Sequence, residues 1–224
     1  MVHKKEPESE PRLYGFTRTA SVVLTHLICL GFAVFISVLS RPGTSWFSWH
    51  PFLMTLAFSF FMTEAILLFS PEGSPIKSFS HKTKGGVHRL LQGLCASCAV
   101  LGFAAIFYNK HLSGKPHFTS WHGLFGLLTV CVVIAQSLAA MPLSYPSLAK
   151  GWSLAKLKRY HAASGLITYL LGSASMLLGL CSVWFAGAVR EYTWYLSALC
   201  LVLSAFVIMN QVSRSYMAKK RFQS

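Results

Sequence analysis

Four histidines in this chain stand in duplicated surroundings. Ser48-Trp49-His50-Pro51 is echoed by Ser120-Trp121-His122-Gly123, and Val87-His88-Arg89-Leu90 has its counterpart in Arg159-Tyr160-His161-Ala162. His88 follows His50 by 38 residues, and His161 follows His122 by 39. The repeat reads as two copies of one hairpin in the same orientation. Imidazole binds metals while neutral and exchanges protons near neutral pH. What four imidazoles can do together depends on the depth at which their helices hold them.

Composition fixes the surroundings. Of 224 residues, 54% are hydrophobic and only 12% charged, about half the charged fraction of a soluble domain. That excludes an ordinary cytosolic globule, a disordered tail and a fibrous protein. Apolar runs of the ~20 residues that a span requires fall at 19–39, 49–69, 88–108, 121–141, 160–186 and 192–212. Breaks such as Arg41-Pro42-Gly43 and Ser70-Pro71-Glu72-Gly73 separate them. The runs do not alternate, which excludes a strand-built barrel. The expected fold is an all-α membrane protein of six transmembrane helices, with helices 2–5 as a core four-helix bundle. The first run lacks a cleavage pattern and is expected to remain as an anchor. Three regions are expected: an N-terminal segment at 1–18, a transmembrane domain at 19–213 and a basic tail at 214–224.

Charge sets the orientation. There are 20 Lys and Arg against 6 Asp and Glu, a net charge of +14. Sixteen of the 20 fall in the N-terminal segment, the loops after helices 2 and 4, and the C-terminal end. An even number of spans places these on one side, which the positive-inside rule makes cytosolic, with both termini. Topology and anionic lipid headgroups then account for the charge, and no nucleic-acid partner is expected.

Depth now sorts the histidines, each read as opening its helix. Helices 2 and 4 start on the non-cytosolic side, so His50 and His122 share one level. Helices 3 and 5 start on the cytosolic side, so His88 and His161 share the other. Most of a ~30 Å hydrocarbon core separates the levels. Two imidazoles from facing helices suit both axial positions of a haem iron in a bundle core. That leaves no position for oxygen and points to electron transfer. A helix N-terminus would keep the ligand imidazole neutral and favour propionates. Gly93, Gly126 and Gly165 would let a porphyrin approach. A two-histidine site lacks the further ligands of a tight zinc or copper site.

Other residues offer less. Glu64 lies 14 residues after His50, a rotation of about 320° and a rise of ~21 Å. It should face as His50 does, near the cytosolic level, either orienting a ligand imidazole or serving as a hydrogen-bonded core acid. His26 has no mate at its depth and reads as a packed histidine. His117, with Lys115 and Arg41, could receive an anionic or ferric acceptor on the non-cytosolic side. Cys95-x-x-Cys98 reads as packing, and the six cysteines form no disulfide framework.

These phrases, together with Lys158-Arg159-Tyr160-His161-Ala162-Ala163-Ser164-Gly165, resemble the cytochrome b561 family, and its short "cytochrome b561 domain-containing" branch above all. The resemblance spans residues 16–217. It implies two heme b groups per chain, the non-cytosolic one on His50 and His122 and the cytosolic one on His88 and His161. It implies an ascorbate-dependent reductase with cytosolic ascorbate as donor and monodehydroascorbate radical or ferric iron as acceptor. It also implies a homodimer and an internal membrane, endoplasmic reticulum or vesicle. The better-known branch carries an arginine-containing motif of the type Ala-Leu-Leu-Val-Tyr-Arg, which this chain lacks. Ascorbate would then be held by other cytosolic cations: Lys77, Lys82, Lys84, Lys156, Lys158 and Arg159. The competing readings are a histidine-lined metal transporter and a non-redox membrane scaffold. Unbroken spans with polar residues clustered at two levels favour electron transfer over transport.

Overall fold

A computed structural model describes residues 12–221. His3, Lys4 and Lys5 of the expected N-terminal segment, and residues 222–224 of the tail, lie outside the described residues. Six helices are long and apolar enough to cross a membrane. They are α1 (Arg12–Ser40), α2 (Trp46–Leu67), α3 (His81–Leu112), α4 (Trp121–Ala139), α5 (Leu154–Leu180) and α6 (Glu191–Arg221). No strand occurs among the described residues.

Serines start several of these helices. Ser45 and Ser48 cap α2 reciprocally, Ser80 accepts from the Thr83 amide at α3, and Ser120 accepts from the Gly123 amide at α4. The chain turns at Arg41 and Gly43, and again at Lys150 and Gly151, all four with positive φ. Two expected boundaries need correction. Helices α3 and α5 begin seven residues before His88 and His161, so those histidines lie two turns inside rather than at the N-terminus. Hydropathy marks where the chain becomes apolar, but a helix continues into polar residues while its hydrogen bonds continue. The run at 160–186 also divides. α5 ends at Leu180, and a short helix Val183–Ala188 follows, capped by Ser182.

Helices α2 to α5 pack in a closed ring, α2 on α3, α3 on α4, α4 on α5 and α5 on α2. α1 lies against α2 and α6, and α6 against α5, so this outer pair covers the α2–α5 seam. The core between them contains Met54, Ala57, Phe58 and Met62 of α2 with Cys95 and Ala99 of α3, Val133 of α4 and Tyr169 of α5. Large apolar side chains such as Leu101, Leu128 and Ile167 face outward, as a lipid-facing surface requires.

α2 departs from α-helical geometry between Thr55 and Phe61, where it widens to a π-helix. The Met62 amide bonds Ala57 O, five residues back, and the Thr63 hydroxyl reaches Phe58 O at 3.4 Å. A π segment fits extra residues into a given length and turns the rest of the helix about its axis.

Candidate functional site

The bundle brings the histidines together in two pairs, one towards each end. His50 on α2 and His122 on α4 have ring centres 6.0 Å apart at an interplanar angle of 74°. His88 on α3 and His161 on α5 have ring centres 6.1 Å apart at 84°. Along α2, fifteen residues separate His50 from Ala65, whose oxygen touches His88. Along α3, an unbroken α-helix, fourteen residues separate His88 from Gly102, whose oxygen touches His50, so at about 1.5 Å per residue the two levels are about 21 Å apart.

Each ring is anchored through Nδ1. His50 donates to Gly102 O at 3.0 Å, His88 to Ala65 O at 2.9 Å and His122 to Ser175 O at 3.0 Å. A carbonyl can only accept, so these bonds place the proton on Nδ1 and leave a bare lone pair on Nε2. His161 differs: its Nδ1 lies 3.1 Å from the side-chain nitrogen of Gln136.

The donor set fits a six-coordinate iron. Metal–imidazole bonds of about 2 Å on opposite sides of one metal put the ring centres roughly 6 Å apart, as both pairs are. Among the described residues no three of His, Cys, Asp and Glu converge to cage a bare ion. Around His50 and His122 lies a cavity of about 250 Å³, walled by Phe47, Phe103, Phe118 and Gly126. A flat apolar macrocycle with two axial imidazoles matches that lining. Lys110 and His117 also line the cavity, and the His117 ring stacks on Phe107 with centres 4.1 Å apart.

The glycines divide. Gly126 lines the cavity, Gly165 adjoins Gln136, and Gly93 faces open space. Gly179 leaves room for a ligand-candidate ring, for a Cβ there would lie 3.1 Å from His122 Cε1. Hydropathy carried no signal for Gly179, Lys110 or Gln136.

Glu64 does not face as His50 does. Both its oxygens lie 2.7–2.8 Å from His26 Nδ1, while His26 Nε2 donates to Gly73 O at 3.1 Å. From His50 regular α-helix carries the count only as far as Met54, and the π segment then turns the remainder. His26 therefore has a mate after all, on another helix. One proton is shared between Glu64 and Nδ1, and Arg18 pairs with Glu72 close by. The carboxylate makes no bond to a ligand imidazole; the main-chain oxygen of the next residue, Ala65, does.

Of the candidate cations, Lys84 is buried one turn before His88, at 8% exposure. Lys77, Lys82, Lys156 and Lys158 are exposed, and Arg159 is half-buried. Lys115 is exposed at the other end of the bundle and Arg41 likewise. All six cysteines are free thiols, with Cys95 buried.

The profile of the eukaryotic cytochrome b561 family matches residues 49–186. The chain is 51% identical over 216 residues to the "Transmembrane reductase CYB561D2" of Bos taurus, covering 96% of this chain and 97% of that one. It is 44% identical to the "Probable transmembrane reductase CYB561D1" of Mus musculus, covering 97% and 95%. A more distant relative, 27% identical over 70% of this chain and 58% of its own, is the "Plasma membrane ascorbate-dependent reductase CYBRD1" of Rattus norvegicus.

Proposed function

Because the chain belongs to the cytochrome b561 family and is a transmembrane reductase of that family, we propose that it carries electrons from cytosolic ascorbate to monodehydroascorbate radical or ferric iron across the membrane. The observation that carries this reading is the pair of imidazoles at each end of one bundle. Bound there, two heme b groups would supply one-electron transfer in two short steps.

The residues divide the work. His50 and His122 hold one group and His88 and His161 the other, each ring oriented by its Nδ1 contact. Phe47, Phe103 and Phe118 exclude water from the non-cytosolic pocket. Lys110 and His117, which line that cavity besides the His50/His122 pair, are placed to receive propionates or an anionic acceptor, with Lys115 outside them. On the cytosolic side Lys84 lies one turn from His88, and Lys158 and Arg159 lie within one turn before His161 in sequence. Ascorbate is a monoanion that gives up one electron and one proton, and a cationic face concentrates it. Only electrons cross, so the bundle has no need to open. The reading includes a homodimer in an internal membrane, with both termini cytosolic.

Two measurements test it. Purified chain should show the visible spectrum of two reducible b-type haems, and a colourless chain would overturn the proposal. In vesicles with the cytosolic face inward and ascorbate enclosed, an external ferric chelate should be reduced. Equal reduction with ascorbate on the opposite side would overturn the direction.

A further inference from the structure

Three of the four imidazoles are held by main-chain oxygens and the fourth is not. Gln136 on α4 meets His161 through its side-chain amide. The repeat explains why that residue is there. Fourteen residues separate His88 from Gly102, and fourteen separate His161 from Ser175, so α3 and α5 keep the same register. On the partner helices fifteen residues separate His50 from Ala65, but fourteen separate His122 from Gln136. The one-residue difference matches the π segment Thr55–Phe61, which α2 has and α4 lacks. Gln136 thus occupies the place of Ala65 in the second copy. Its own main-chain oxygen accepts from the Ala140 amide at 3.1 Å, and it is the side chain that meets the ring where the backbone does so in the first copy.

We infer that Gln136 is the positioning residue of His161, setting which ring nitrogen carries the proton through an amide that can turn over. A backbone carbonyl only accepts, whereas a glutamine amide both donates and accepts. In the conformation observed, its nitrogen faces Nδ1 and donates to His161 O at 2.9 Å, while Ser164 Oγ donates to Oε1 at 2.8 Å. That arrangement makes Nδ1 the acceptor and leaves the proton on Nε2. With the amide turned over, Oε1 accepts from Nδ1–H and the nitrogen donates to Ser164 Oγ, at the cost of the bond to His161 O, which Oε1 would then face. The serine proton then goes to Tyr160 O, 2.7 Å away. Only this second arrangement bares Nε2 for a metal. A Cβ at position 165 would stand 3.2 Å from the amide nitrogen, so Gly165 leaves Gln136 its space. His161 is therefore the ligand candidate whose binding form depends on a rotatable side chain, while the other three are set by backbone.

The inference rests on the function proposed above, and its test separates the two. Haem-loaded Gln136→Glu and Gln136→Leu are compared with the unaltered chain by haem per chain, electron paramagnetic resonance and midpoint potential. Signals are assigned to levels from the His50→Ala and His88→Ala spectra. Glutamate only accepts, which makes the imidazole a stronger donor to ferric iron. Gln136→Glu should keep both haems and lower the potential of the His88/His161 haem alone. Gln136→Leu should lose that haem or raise its potential, leaving the His50/His122 haem as the control for folding. A Gln136→Leu chain that fails to accumulate leaves Gln136→Glu to decide. An unmoved potential in Gln136→Glu, or both haems shifting together, overturns the inference. An unaltered chain that binds no haem overturns the proposed function instead.

Discussion

His50 donates from Nδ1 to the main-chain oxygen of Gly102, 3.0 Å away on the facing helix. At the other end of the same hairpin His88 returns the bond to Ala65. α2 and α3 are thus joined at both levels by the rings that would bind the cofactors. A backbone acceptor has no rotamer freedom, so each ring's tautomer and aim are set before any ligand arrives.

The two levels should be separable by mutation. His50→Ala or His122→Ala should remove one haem and leave the other, and His88→Ala or His161→Ala should do the converse. Each pair has its own contacts and about 21 Å lies between the levels. Haem per chain and reduced spectra read the outcome. Depletion of the same spectral component by His50→Ala and His88→Ala would refute the pairing.

Gly179→Ala should disturb His122 selectively. The added Cβ would stand 3.1 Å from Cε1 of a ring already fixed by Ser175. Overpacking of this kind costs about 1–3 kcal/mol. The expected result is lower occupancy of the His50/His122 haem with the other intact. Full occupancy of both would show that the ring moves aside freely.

Glu64→Ala should lower thermal stability. It removes the acceptor of His26 Nδ1 in a half-buried place, where a hydrogen bond to a charged group contributes about 1.5–3 kcal/mol. The midpoint of heat denaturation in detergent should fall by several degrees, while haem content is preserved, because no ligand ring touches this carboxylate. Loss of the His88/His161 haem would instead give Glu64 a role in that site.

Replacing Lys84 and Lys158 together by Ala should slow haem reduction by ascorbate more at low ionic strength than at high, since surface attraction is screened by salt. The single variants should differ. Lys158 is exposed and acts through the field, so its effect should vanish at high salt; Lys84 is buried beside His88, so its effect should persist. Rates unchanged at every salt concentration would reject these lysines as the capture site.

Much of this protein is written in its hydropathy. The lengths of the apolar runs, the distribution of lysine and arginine, and the repeated Ser-Trp-His phrases are one-dimensional properties. They suffice for six spans, a four-helix core and the sorting of four histidines into two depths, because a helix in lipid must run straight through and its residue count sets its depth. Helix ends were less legible. α3 and α5 extend two turns beyond their apolar runs, since hydrogen bonding continues after hydropathy falls. The rotation of one helix against another was not legible at all. The π segment of α2 turns Glu64 towards His26 and shifts Ala65 by one residue relative to Gln136. The carbonyls that anchor three rings, and the amide that meets the fourth, lie on neighbouring helices 23 to 53 residues away in sequence. Only packing decides which of those groups a given ring meets, because depth follows from counting along one helix while direction depends on two.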